Sequence, residues 1–333
     1  MGPIEDFRDR DRRCRPESAH LPWLNYLDRP FRLPGPFMNR RELLATGIGA
    51  LALAAGVRPA RARNPRIRFG YAAITWGGDD RGAMDDVAAL GFRGIQLRAS
   101  AVETWGERPA ELRQLLDERN LTMVALSSGT IGLEPAAEAE ERARHLRHAR
   151  FVREVGGLYL QVIDRRPPGR EPTGEDYRRM GRLLTELGRR TADVGVALGY
   201  HHHMDALGEA PDEIARVLDA TDPRYVGLVL DTAHYRQGGG DPATAARTYG
   251  DQLLFLHLKD LEAPVRGGPP ESYRFVELGR GGIDFPAVFA ALERVGFEGW
   301  GIVELDAVPD SARTPKESAA ISRGYLERLG FRP

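Results

Sequence analysis

The sequence predicts a closed (β/α)8 TIM barrel, and three observations carry that expectation. Past residue 63, eight short apolar runs rich in β-branched residues alternate with eight longer segments of helical period. The alternation fills about 270 residues, the usual size of this architecture. A doubly wound sheet would more often show six strands and a glycine-rich first turn, and this pattern offers neither.

Strand one is expected at 67–75 (IRFGYAAIT), with a helix after it at 84–90. Strand two follows at 93–97 (RGIQL) and strand three at 121–127 (LTMVALS), with helices at 109–120 and 136–155. Strand four at 158–163 (LYLQVI) leads into a helix at 175–194, and strand five at 195–201 (GVALGYH) into one at 211–220. Strand six at 225–231 (YVGLVLD) precedes a helix at 242–249, and strand seven at 253–259 (LLFLHLK) one at 285–295. Strand eight at 300–305 (WGIVEL) and a helix at 315–329 close the series. Pro242 after Asp241 and Pro315 after Thr314 suit a first helical turn, where a missing N–H leaves nothing unpaired.

The residues before the barrel have a different character. Residues 1–62 hold 11 arginines against 7 acidic residues, whereas the remainder holds 36 basic against 41 acidic residues. Within MNRRELLATGIGALALAAGVRPARA at 38–62, Arg40 and Arg41 precede a small-residue apolar run from Ala45 to Val57. Ala60 and Ala62 then stand at the two positions a signal peptidase reads. This resembles a twin-arginine export signal, which implies a periplasmic or exported protein. The run is about 13 residues, too short to span a bilayer. Residues 1–37 are rich in Arg, Asp and Pro without periodicity, and read as a disordered leader. Because export signals begin near an N-terminus, Met38 is an alternative start. The catalytic domain is expected at 63–333. Cys14 is the only cysteine, so the barrel has no thiol nucleophile or Cys-rich zinc site. The net charge of −1 gives no electrostatic reason for nucleic acid or an anionic membrane as partner.

In a (β/α)8 barrel the chemistry lies at the carboxyl ends of the strands. Here the last four strands each end in a candidate ligand: His201, Asp231, His257 and Glu304. One such residue alone is most simply a cap or a satisfied core group. Two carboxylates and two imidazoles on adjacent strands would converge, and leaving them unpaired in a dry cleft would cost several kcal/mol. One divalent cation removes that cost. Mixed N/O donors suit Mn2+ or Co2+, with Zn2+ and Fe2+ as alternatives, better than Ca2+ or Mg2+. Strand alternation puts His201 and His203 on one face and His202 on the other, toward the helix layer. Lys259 is in phase with His257. Around this point stand His234, Trp76, Gln96 and Arg280.

The segments ITWGGDD (74–80), GFRGIQL (91–97), GYHHHM (199–204), VGLVLDTAHY (226–235), FLHLKD (255–260), GRGGIDFPAVFAAL (279–292) and GFEGWGIVELD (296–306) resemble the xylose-isomerase-like sugar isomerases and epimerases. The resemblance covers nearly all of 66–328, and the HHHM segment points to the inosose dehydratase branch. It implies metal ligation by His201, Asp231, His257 and Glu304, the epimerases having a Glu where His201 stands. It also implies a substrate contact at His234. Two departures are that the second strand commonly ends in Glu, where Gln96 cannot move a proton, and that GYHHHM continues as Asp205-Ala206.

The expected chemistry is proton removal beside a ketone, then loss of a β-hydroxyl: a metal-dependent lyase acting on a keto-cyclitol or keto-sugar. The base would be His203 or His234. Lys259 would bind or protonate a substrate oxygen, and Trp76, Gln96 and Arg280 would contact the substrate. The alternatives are an isomerase or epimerase of the same group and a non-catalytic envelope sugar-binding protein. A homo-oligomer stays open.

Overall fold

A computed structural model describes residues 66–333 except 266, 267 and 269–271. The expected leader (1–37) and export signal (38–62) lie outside the described residues. The eight apolar runs form eight parallel strands: β1 (Ile67–Ala72), β2 (Gly94–Arg98), β3 (Thr122–Ile131), β4 (Tyr159–Asp164), β5 (Ala197–His201), β6 (Val226–Asp231), β7 (Leu253–Leu258) and, late in the chain, β10 (Gly299–Val303). They close into a barrel in the order β1-β10-β7-β6-β5-β4-β3-β2.

Helices cover the outside: α1 (Asp80–Ala89), α2 (Ser100–Trp105), α3 (Pro109–Glu118), α4 (Pro135–Val155), α5 (Gly174–Asp193), α6 (Pro211–Asp219), α7 (Thr232–Gln237), α8 (Pro242–Thr248), α9 (Phe285–Val295) and α10 (Pro315–Arg328). Local chemistry sets their starts. Asp241 caps α8 by accepting from Thr244 N at 2.9 Å. Thr314 and Glu317 form a reciprocal capping box on α10.

Period-two alternation sorts the strand side chains into two cores, except at Val124–Ala125, where the β2–β3 register shifts. Ala72, Val124, Ala125, Val229, Phe255, Trp300 and Ile302 form the smaller buried cluster, which fills the barrel. Leu198, Leu228, Leu230, Leu256 and Leu258 belong to the larger one, beneath the helices. Gly199 takes the interior phase. A Cβ there would come within 2.6 Å of Val229 Cγ2 and 3.5 Å of Phe255 Cε1, so the filled interior admits no side chain.

The structure departs from the expected boundaries in several places. β1 ends at Ala72 and passes into a 3-10 turn, Ala73–Trp76, so Trp76 stands in a turn and not on a strand end. α1 begins at Asp80 because the Asp79 carboxylate accepts from Gly82 N. β3 runs on to Ile131, with its register to β4 shifting between Ser127 and Thr130. α2, α7 and a small antiparallel hairpin, β8 (Asp260–Glu262) with β9 (Arg274–Val276), were not foreseen. Asp260 pins the loop after that hairpin, accepting from the amides of Gly279, Gly281 and Ile283 at 2.8–3.1 Å. Among the described residues, no helix is long and apolar enough to cross a membrane.

Candidate functional site

Each of the four expected ligands stands two residues after an interior position on its strand: His201 after Gly199, Asp231 after Val229, His257 after Phe255, Glu304 after Ile302. The pleat therefore aims all four at the barrel mouth. Strand register sets them side by side, Asp231 opposite His257 and His201 opposite Val229. One donor atom from each of the four lies within 4.8 Å of the others. His201 Nε2 is 2.9 Å from His257 Nδ1, and each is 3.6 Å from Asp231 Oδ2. Glu304 Oε2 is 3.4 Å from His257 Nδ1. Four donors about 2.1 Å from a common ion would stand roughly 3.4 Å apart, so these separations suit one cation.

The surroundings hold the donors in the states that ligation needs. Asp231 caps α7, with Oδ1 accepting from Ala233 N at 2.8 Å and His234 N at 2.9 Å. Its buried Oδ2 has no hydrogen-bond partner, although such an atom in a dry site is costly to leave alone. His257 Nε2 faces Gln96 Oε1 at 2.9 Å, so it carries the ring proton and Nδ1 presents a lone pair to the cluster. The Gln96 amide also reaches Glu304 Oε2, at 3.4 Å. Burial pushes His201 down to about 4, more than Asp231 raises it, so this imidazole is neutral. Burial alone would raise Asp231 and Glu304. The Lys259 ammonium, and for Asp231 the amides of Ala233 and His234, oppose it, and both carboxyls are held below their usual range.

Lys259 is buried, with Nζ 3.2 Å from Glu304 Oε1, 2.6 Å from Asp306 Oδ1 and 3.3 Å from His234 Nε2. Burial would lower its pKa, but Glu304, Asp231 and Asp306 raise it above the usual value, so it is an ammonium. It lies 4.1 Å from the centre of the Phe275 ring, a cation–π contact supplied by β9. Asp231, Glu304 and Lys259 sum to one buried negative charge. Asp306 is partly exposed, and burial raises its carboxyl against the pull of Lys259. A cation at the cluster would offset the buried charge.

Of the other expected residues, His203 and His234 join this set, their ring centres 3.8 Å apart and that of His203 5.8 Å from His201. His203 is half-buried, and its Nδ1 donates to the Met204 carbonyl at 2.7 Å, leaving Nε2 as the basic nitrogen. His234 accepts from Lys259 at Nε2, which puts its proton on Nδ1, a buried atom without a partner. Burial and Lys259 keep it neutral. His202 turns to the helix side as expected. It packs on Tyr235, and its Nε2 accepts from Asp231 N at 3.2 Å.

Trp76 and Arg280 have other engagements. Trp76 Nε1 donates to Asp86 Oδ2 at 3.0 Å, and Arg280 is exposed, 3.8 Å from Glu277. Asp306 and Phe275 were missed. Asp306 had a readable signal, since it lies two residues past Glu304 and so shares its strand phase.

A model of the xylose isomerase-like TIM barrel family matches residues 84–329. An inosose dehydratase of Bacillus licheniformis is 30% identical over 298 residues, 79% of this chain and 96% of that one. The rhizopine catabolism protein MocC of Rhizobium meliloti is 28% identical over 301 residues, 80% of this chain and 90% of that one. Among solved structures, the IolI protein with a bound zinc atom has a TM-score of 0.69 at 17% identity, covering 79% of this chain and 98% of that one. That last likeness is one of fold. With the family model spanning most of the barrel, the chain belongs to the xylose isomerase-like TIM barrel family.

Proposed function

We propose that the protein is a divalent-metal-dependent carbohydrate lyase that dehydrates a keto-cyclitol or keto-sugar. The observation that carries the reading is the convergence of His201, Asp231, His257 and Glu304, two imidazoles and two ionised carboxylates, around an Asp231 oxygen without a hydrogen-bond partner. Relatives named for inosose dehydration and rhizopine catabolism support the substrate class. The mixed N/O donor set favours Mn2+, Co2+, Zn2+ or Fe2+. When bound, such an ion supplies Lewis-acid stabilisation of the negative charge that a substrate carbonyl acquires on loss of an α-proton.

The chain's own groups divide the proton work. His203 is the base, because its Nε2 lone pair is unengaged and the ring is reachable. The C–H electron pair moves into the carbonyl, returns as a new C=C bond, and breaks the β C–O bond. The departing oxygen leaves as water by taking the proton that His203 has gained, which returns His203 to its starting state. Lys259 fits the role of a fixed positive charge, because its three protons are held by Glu304, Asp306 and His234.

The test is to strip the protein with a chelator, reload it with Mn2+ or Co2+, and supply keto-inositols, 3-keto-glycosides and ketohexoses. Enone absorbance without epimers is the expected result, with turnover lost in Asp231→Ala and His257→Ala while far-ultraviolet dichroism is kept. Epimers without enone would replace the lyase by an epimerase. Sugar binding without turnover in every loaded form would leave a binding protein. Full turnover in stripped protein would overturn the metal.

A further inference from the structure

A second polar cluster lies where β3 faces α4, and the lyase reading makes no use of it. The β3 register breaks at Ser128–Gly129, and Gly129 takes a φ of +92° that a side chain would strain. This bulge presents Ser128 to α4. Its Oγ lies 2.6 Å from His145 Nδ1 and 2.8 Å from His148 Nδ1, two buried histidines one helical turn apart.

A hydrogen-bonded core pair would need nothing more, but here the cluster opens on a cavity of about 550 Å3. Ser128, Arg144, Arg147 and His148 line it from β3 and α4, and Val102 and Glu103 from α2. Arg144 reaches the Thr130 carbonyl at 2.8 Å, yet its buried Nε has no partner. Among the described residues, neither Arg144 nor Arg147 has a carboxylate partner.

Proton bookkeeping gives the cavity one acceptor among its donors. His145 Nε2 lies 3.2 Å from the Thr130 carbonyl and 3.5 Å from Arg144 Nη2, which itself donates to that carbonyl at 2.8 Å; the shorter contact to an acceptor puts the ring proton on Nε2, and Nδ1 accepts. Ser128 has one proton, and His145 takes it. His148 Nδ1 must therefore donate to Ser128 Oγ, which leaves His148 Nε2 with a bare lone pair. Burial and the neighbouring arginines hold both rings down to about 4, so both are neutral near physiological pH.

We propose that this cavity binds a phosphate group that keeps a proton, between Arg144 and Arg147, with its P–OH donated to His148 Nε2. Two guanidinium groups suit the anion. Glu103 disfavours a fully ionised one. Sulfate matches the shape but has no proton to give at neutral pH, and neither has a carboxylate. Inorganic phosphate and the monoanion of a phosphate ester share the required chemistry.

Calorimetric titration of metal-loaded protein with inorganic phosphate, a sugar phosphate, sulfate and acetate tests the site. Saturable one-to-one phosphate binding is expected, weakened at least about tenfold in Arg147→Gln and in Arg144→Gln. Sulfate and acetate should bind at least about tenfold more weakly than phosphate. The exposed Arg147 can be changed without touching the core. Asp231→Asn, which disables the cation site, should leave phosphate binding intact. Tighter binding of either phosphate source identifies which one the cavity serves. An isotherm unchanged in both arginine variants, equal affinity for sulfate or acetate, loss of binding in Asp231→Asn, or no saturation by about 10 mM phosphate would each overturn the assignment.

Discussion

Gln96 contacts two of the four cluster residues through one amide, fixing the proton on His257 with its oxygen and meeting Glu304 with its nitrogen. Such supporting groups are typically worth ten- to hundredfold in metal affinity. Gln96→Leu is therefore expected to weaken Mn2+ binding by about that factor, read by competition with a chromophoric chelator. His203→Asn should behave oppositely, with turnover down by about 100-fold or more and metal affinity unchanged. Equal losses in both measurements would remove His203 from the role of base. At this scale, the four ligands were legible because each follows a mostly apolar run and shares its strand phase with an interior residue. The partners of Gln96, Trp76 and Arg280 were not, because they sit on other elements: His257 on β7, Asp86 on α1, and Glu277 just past β9.

Between elements, Asp164 joins the end of β4 to β5 and to the loop after it. Its Oδ2 accepts from the Tyr200 hydroxyl and from Gly208 N, both at 2.9 Å. Burial pushes this carboxyl up to about 7, against the lowering effect of those two bonds. The folded state thus keeps a proton that the unfolded chain releases near pH 4. Its stabilising contribution is complete below that pH and is lost as pH rises through about 7. Asp164→Asn keeps an acceptor oxygen and does not titrate. Its urea stability relative to the parent should rise by up to about 4 kcal/mol between about pH 4 and pH 8. A difference that stays constant with pH would contradict this. The long elements were legible from periodicity and from proline at helix starts. β8 and β9 were not, since three residues hold no period, and α7 was hidden because it starts directly after the strand-ending Asp231.

For the whole molecule, an ion bound to the folded barrel alone stabilises it by mass action, by about 2.7 kcal/mol at a hundredfold excess over Kd. Mn2+ is expected to raise the melting temperature of the stripped protein by several degrees and to leave that of Asp231→Asn unchanged. Export remains a proposal carried by the sequence of 38–62, and predicts a mature N-terminus at Arg63 that replacing Arg40 and Arg41 by lysine abolishes. The barrel as a whole was readable because its eight strands repeat one pattern. The phosphate cavity was not, because Ser128 meets His145 and His148 only through a bulge that has no sequence period. The interior filling has a further consequence. Val229, Phe255 and Ile302 stopper the cylinder directly under the donor atoms, and a charge forced through that hydrocarbon would lose its solvation. The barrel is a flask and not a pipe: an ion held at those donor atoms must come and go through the same neck as a substrate, so a substrate seated there would also cork the ion in.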